Sequence, residues 1–167
     1  DTLDGGAGSD TYTTATTQIA ANIEGAGTGT STGVVINLGA TALSNANVLS
    51  TTTTQNLSGT LTTVASGQVA YTFNASLNTN SAVVDTLSNI ENVTLAGNGV
   101  NYVVGSAAAN VITGGSGVDT IVPGNGADTV TGGDGNDIIT LTESAANSAV
   151  DTVIFADTAA NNGSDTI

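Results

Sequence analysis

Between Gly114 and Thr140 the chain reads GGSGVDTIV, PGNGADTVT and GGDGNDIIT, so that a carboxylate recurs every nine residues at Asp119, Asp128 and Asp137, each behind a run of glycines. A period of nine constrains the fold more than any composition can, because each repeat must adopt the shape of its neighbour and stack on it. The register extends backwards without a gap through AGNGVNYVV (96–104) and GSAAANVIT (105–113). Across these five nonads the sixth position is Asn101, Asn110, Asp119, Asp128 and Asp137, and the eighth is Val103, Ile112, Ile121, Val130 and Ile139. The first is always a short polar acceptor, the second always a branched apolar residue.

Six small residues suit a tight turn that uses glycine conformations, and the remaining three suit a short strand. In a three-residue strand only the middle side chain faces inward, so the Val or Ile at position eight forms the core. Successive nonads then build the two facing sheets of a flattened parallel coil, with two nonads to each full turn. Thr113, Thr120, Thr129, Thr131 and Thr140, at positions seven and nine, are predicted to face solvent on backbone that favours strands. Aromatic residues are only 3% of the 167, which fits a thin, stacked core of Val, Ile, Leu and Ala.

Every ionised side chain is acidic, with no Lys, Arg or His and a formal charge of -14 at pH 7. Nothing can neutralise phosphates, which argues against nucleic acid and anionic membrane surfaces as partners and leaves cations as the natural ones. No apolar run approaches the roughly 18 residues of a membrane span, so membrane insertion is not predicted. The absence of Cys is compatible with a reducing compartment and with a secreted protein stabilised by something other than disulfides.

The period marks out four regions. Residues 1–13 carry a complete nonad, GGAGSDTYT (5–13), behind DTLD, and read as the end of a coil already running before residue 1. Residues 14–82 lose the period and read as an inserted β-rich segment, rich in Thr, Ala and Asn, with strands at GVVINL (33–38), TLTTVA (60–65) and QVAYTFN (68–74). Within it TALSNANVLS (41–50) reads as a short helix, STTTTQN (50–56) as an exposed loop or strand edge, and EGAGTGTSTG (24–33) as a flexible loop, since no Walker Lys follows. Residues 83–140 hold lead-in strands and the nonads. Residues 141–167 continue the solenoid irregularly, repeating the Asp-Thr-aliphatic signature in DTVI (151–154) and SDTI (164–167).

The nonads resemble the GGxGxDxUx repeats of RTX proteins, calcium-binding bacterial products exported by type I secretion. GGAGSDTYT, GGSGVDTIV and GGDGNDIIT fit every defined position with Tyr12 as the large apolar residue; PGNGADTVT departs at position one, and the two Asn nonads at position six. The resemblance implies an all-β fold, a parallel β-roll (RTX β-helix) with an inserted Thr/Ala/Asn-rich β-strand region, and Ca²⁺ as its bound ion.

Stacking supplies the chemistry. Loops alternate between the two edges of the coil, so the loop of Asp119 lies beside that of Asp137, one coil away at about 4.8 Å. Two carboxylates that close repel by about 3 kcal/mol at an effective dielectric of about 20, and a cation between them reverses the sign. Carboxylates joined by carbonyls of glycine-rich turns suit Ca²⁺ better than small, octahedral Mg²⁺. The best site therefore pairs Gly114, Gly115, Ser116, Gly117 and Asp119 with Gly132, Gly133, Asp134, Gly135 and Asp137, in which Asp134, at a variable position, reads as a solvated charge. On the other edge Gly124, Gly126 and Asp128 face the loop of Asn110, so that site has one carboxylate fewer and is expected to bind more weakly or not at all. Pro123, with its fixed φ, weakens that site further. Gly5, Gly6, Gly8 and Asp10 are expected to pair with a loop before residue 1, leaving half a site in this chain.

With no His or Cys, and with Glu24, Glu91 and Glu143 reading as isolated solvated acids, the chain is not expected to be an enzyme. Three functions stay open. The first is a calcium-dependent structural segment of a secreted bacterial cell-surface protein, of S-layer or adhesin type, with calcium ions and further repeats or subunits of the same protein as its partners. The second is the C-terminal folding segment of a secreted protease or lipase. The third is a calcium-stiffened ligand- or ice-binding adhesin module with outward Thr rows.

Overall fold

The computed structural model describes residues 2–14, 33–44, 55–57, 63–74, 84–97, 99–143, 149–155 and 163–167. Fifteen short strands and no helix occur among them. The DTLD before the N-terminal nonad supplies β1 (Thr2–Asp4) and the nonad itself β2 (Thr11–Thr13). The aperiodic segment supplies β3 (Gly33–Asn37), β4 (Leu43–Ser44), β5 (Gln55–Leu57), β6 (Thr63–Val64) and β7 (Gln68–Asn74). The lead-in contributes β8 (Val84–Ser88) and β9 (Asn92–Thr94). The nonads give β10 (Tyr102–Val104), β11 (Val111–Thr113), β12 (Thr120–Val122), β13 (Thr129–Thr131) and β14 (Ile138–Ile139), and β15 (Thr152–Ile154) follows.

Alternate strands fall into alternate sheets, as a coil of two nonads per turn requires. One sheet has the order β15-β13-β11-β9-β2 and is parallel throughout. The other runs β1-β8-β7-β3-β10-β12-β14, with β5 also paired to β7. Between the sheets lies the expected stack: Val103, Ile112, Ile121 and Val130 are wholly buried and Ile139 nearly so, joined by Tyr12, Val93, Ile36 and Val69. Burying each such Val or Ile contributes about 1.5–3 kcal/mol, enough to set the register because a slip of one residue would turn the whole row outward. The molecule is an all-β parallel roll.

Among the described residues, the aperiodic segment enters one of the two main sheets and not the other. β9 pairs directly with β11, whereas in the opposite sheet β7 and β3 stand between β8 and β10. β3 is parallel to β10 and antiparallel to β7, which is antiparallel to β8. The unbroken apolar run of β3 is buried at every residue, the pattern of a strand covered on both faces. Val34 and Ile36 join the core, and the outer face meets the β4–β6 ladder, where Val64 is wholly buried and its carbonyl accepts from Asn37 Nδ2 at 2.9 Å.

Among the described residues, one expected helix and one expected exposure fail. Leu43 and Ser44 lie in a strand rather than in the helix read over 41–50, because pairing with Thr63 and Val64 outweighs a weak local preference; residues 45–50 lie outside the described set. Thr120 is 5% exposed rather than solvent-facing, since Tyr102 and Ile138 flank it in register on the outer face. Residues 24–32, read as a loop, and 50–54, read as an exposed loop or strand edge, lie outside the described set, while Gln55 and Asn56 belong to β5, which pairs with β7.

Candidate metal centre

Position six of each nonad sits at the mouth of a strand, where the turn ends and the ladder of hydrogen bonds begins. The backbone N–H at this point faces the next coil, and the side chain of the next position six accepts from it. Along one edge Val34 N–H donates to Asn101 Oδ1 at 3.0 Å, Asn101 N–H to Asp119 Oδ1 at 3.1 Å, Asp119 N–H to Asp137 Oδ1 at 2.9 Å, and Asp137 N–H to Asp165 Oδ1 at 3.0 Å. Along the other edge Asn110 N–H donates to Asp128 Oδ1 at 2.8 Å and Asp128 N–H to Asp151 Oδ1 at 3.1 Å. The short polar residue at position six is thus explained before any ion is considered: it supplies the acceptor that lets one coil stack on the next.

A carboxylate has a second oxygen, and here the burial becomes informative. Asp119, Asp128 and Asp137 are at most 1% exposed. Asp119 Oδ2 accepts the Gly115 N–H at 2.8 Å, but Asp10 Oδ2, Asp128 Oδ2 and Asp137 Oδ2 are sealed from solvent with no hydrogen-bond partner. Burial pushes the Asp119 carboxyl up to about 6, helped by the charge of Asp137 and opposed by hydrogen bonds from Gly115 and Asn101. Asp128 and Asp137 are also raised, first by burial and then by their acidic neighbours, Asp151 and Glu143 for the former, Asp165 and Asp134 for the latter. Buried anionic oxygens without donors are costly, and a cation removes that cost.

The glycines make room for this arrangement. A side-chain carbon at Gly132 would overlap the carboxylate of Asp137, which folds back over the first residue of its own turn. Gly135 has φ of 124°, a conformation that side chains rarely adopt, and its Cα packs against the Gly117 carbonyl of the stacked loop. The two loops are tied further by Asp134 N–H donating to the Gly115 carbonyl at 3.0 Å, and Gly114 N–H donates to the Thr131 carbonyl at 2.8 Å. The structure therefore brings together Gly114–Asp119 and Gly132–Asp137. Gly124 and Gly126 stack on Ser106 and Ala108. Pro123 is accommodated, since position one has no left-handed φ in Gly5, Gly105, Gly114 or Gly132.

The family model of the RTX calcium-binding nonapeptide repeat matches residues 1–14, 95–130 and 124–142, in four copies. These segments are RTX calcium-binding nonapeptide repeats. Ca²⁺ is accordingly the ion that they bind, and the chemistry of the donors agrees: hard carboxylate and carbonyl oxygens from glycine-rich turns, and no His or Cys to offer nitrogen or sulfur. Among the described residues no three acidic side chains converge, so an ion held here relies on paired carboxylates with main-chain oxygens. No curated protein and no solved structure matches the chain.

The ladder of position-six acceptors is longer than the intact motifs suggest. Asp151 and Asp165 occupy the same ladder positions as Asp128 and Asp137 although their turns have lost the glycine pattern; the recurrent Asp-Thr-aliphatic signature is their only mark in the sequence. The loop of Asp10, expected to pair with a loop before residue 1, also has a neighbour on its other side that the sequence did not suggest. This loop stacks within this chain on residues 88–91: Gly5 N–H donates to the Ser88 carbonyl at 3.0 Å, and Asp10 N–H to Glu91 Oε2 at 2.9 Å. Glu91, read as a solvated acid, is thereby committed to a backbone donor. No local motif could have revealed it, because the partners are 81 residues apart.

Proposed function

We propose that this chain is a calcium-dependent structural segment of a secreted bacterial cell-surface protein, of S-layer or adhesin type, which leaves the cell unfolded by type I secretion and folds on meeting extracellular calcium. The ligands assigned to the principal ion are Asp119 and Asp137 with main-chain oxygens of their two turns, and a weaker site lies at Asp128. One observation carries the reading: the strands stack by a ladder of buried carboxylates, so the fold itself, rather than a pocket upon it, consumes the ion. Without calcium the stacked acids of a chain with charge -14 oppose folding; with it the same acids become the cement.

A structural role is supported further by the absence of His, Cys, Lys and Arg from the whole chain. The ladder acids Asp119, Asp128 and Asp137 each accept a backbone N–H, which holds them in place as supports rather than leaving them to move protons. Circular dichroism in EGTA and then in millimolar CaCl₂ tests the proposal: β structure is expected to appear only with calcium, and identical spectra would sink it. Electron microscopy of the full-length secreted protein tests the surface role, with ordered sheets or filaments expected in calcium and dispersal in EGTA. A strictly monomeric particle in both conditions would favour the folding segment of a secreted enzyme.

A further inference from the structure

The most informative departure from the repeat lies where the chain returns from its aperiodic segment. Thr11, Tyr12 and Thr13 pair in register with Asn92, Val93 and Thr94, which sets Glu91 beside Asp10 at position six. The pairing of Val93 with Ile112 sets Asn110 beside Glu91 on the other side. Position six along this edge therefore reads Asp10, Glu91, Asn110, Asp128, Asp151. Glu91 lies outside the residues that match the RTX repeat, and its turn has three residues, 89–91, where a nonad has six.

That turn nevertheless performs two functions of a nonad turn, although the Glu91 N–H turns back to the Asp10 carbonyl rather than on to Asn110. Asn89 takes a left-handed φ of 52°, a conformation open to Asn and otherwise left to glycine. Its Nδ2 donates to Asp4 Oδ1 at 2.8 Å, and the same oxygen receives the Gly6 N–H at 3.1 Å. Glu91 Oε2 receives the Asp10 N–H as Asp137 Oδ1 receives that of Asp119. The extra methylene of Glu provides the reach that the shortened turn lacks. Opposite it, in an intact GGxGxD loop, Asp10 Oδ2 is sealed from solvent and meets no donor.

We infer that Asp10 and Glu91 form a calcium site that closes across the aperiodic segment, with Glu91 acting as the carboxylate of a repeat that its sequence no longer resembles. This rests on the reading that the intact nonads bind calcium. Its consequence is specific to this chain. The ion ties strands β1 and β2, before residues 14–82, to β8 and β9, after them, so calcium closes the base of the aperiodic segment while the ions at Asp119 and Asp137 hold the array beyond it. Two carboxylates with glycine-turn carbonyls suit a hard divalent cation, as in the intact pair.

Calorimetric calcium titration of the full chain tests this with Glu91→Gln, which retains an oxygen to accept the Asp10 N–H but removes the charge. The variant is expected to lose one ion, or to bind it at least tenfold more weakly, with the remaining ions unchanged; Asp137→Asn should lose a different one. Unchanged stoichiometry and affinity in Glu91→Gln would overturn the inference and leave Glu91 as a hydrogen-bond acceptor alone. A wild-type chain that takes up no calcium would instead overturn the calcium reading of the whole array. Hydrogen exchange on the unaltered chain gives a second readout independent of how the variant folds. The amides of Asp10 and of Asn92–Thr94 should gain protection together as calcium rises, and protection already complete in EGTA would overturn the inference.

Discussion

The two edges of the coil share one backbone design and differ in their acids. On the Asp119 edge position six reads Asn101, Asp119, Asp137, Asp165; on the Asp128 edge it reads Asp10, Glu91, Asn110, Asp128, Asp151. Stacking persists through Asn as well as Asp: Asn101 Oδ1 takes the Val34 N–H as Asp119 Oδ1 takes that of Asn101, whereas Asn110 Oδ1 accepts the Ser106 N–H of its own turn and its Nδ2 donates to the Glu91 carbonyl of the preceding coil. Charge is needed only by the second oxygen. Position six therefore has two separable tasks, and an Asn repeat retains the coil while giving up an ion ligand. The Asp119 edge has two intact GGxGxD loops side by side; the Asp128 edge breaks its series with Asn110.

The strongest way to break this comparison is truncation. Asp119→Ala or Asp137→Ala is expected to abolish the principal site, removing about 4 kcal/mol of calcium-linked stability when the ion is at a thousandfold excess over its Kd. Asp128→Ala should cost less, and calorimetric titration of the three variants measures the difference. Equal losses would mean that the edges are equivalent.

Acid offers a second test, because protons can replace the ion. Asp119 has a folded-state value raised to about 6 against an ordinary 3.8, so the folded form binds its proton more tightly than the unfolded. In EGTA its contribution to stability is fully present below about pH 4 and is lost as pH rises through about 6, amounting to about 3 kcal/mol at about 1.4 kcal/mol per unit of difference. The calcium-free chain should thus gain β structure on acidification from pH 7 to pH 4.5, read by circular dichroism, while calcium affinity falls over the same range. Loss of structure on acidification would show that the acids are not buried as described.

Substituting Asn for Asp separates the two tasks. Asp137→Asn retains an acceptor for the Asp119 N–H, so in saturating calcium, where the other ions keep the array folded, it should be more stable than Asp137→Ala by about 1–2 kcal/mol, although both lose the principal ion. Chemical denaturation of the pair supplies the number. The smallest effect is expected in the core, where Ile112→Val in one sheet and Ile121→Val in the other should each cost about 1 kcal/mol, alike on both sides, because each sits in the same wholly buried row.

The nonads were legible because their information is local. A glycine run, an acceptor at position six and a branched residue at position eight specify a turn and a strand, and repetition specifies the rest, since each coil meets only its neighbours. Val103, Ile112, Ile121, Val130 and Ile139 stand where the period places them, and the Asp119 loop stacks on that of Asp137. Thr120 was misread because its exposure depends on Tyr102 and Ile138, one coil to either side. Pro123 is tolerated because the residue it replaces needs no left-handed backbone, which depends on the φ of that turn and cannot be read from the letters GGxGxD.

The amino-acid sequence by itself determined that this chain coils and which residues fill the coil, both of which follow from interactions repeated at a fixed spacing, and its resemblance to RTX repeats pointed to calcium. Only the tertiary structure decided that β7 and β3 enter one sheet and not the other, that the N-terminal nonad docks on the strands after the aperiodic segment, and that Glu91 completes the edge beside Asp10. The physical reason is the unpaired strand edge. Its N–H and C=O groups accept whichever segment offers matching register and a buried side chain, and distance along the chain does not restrict that choice.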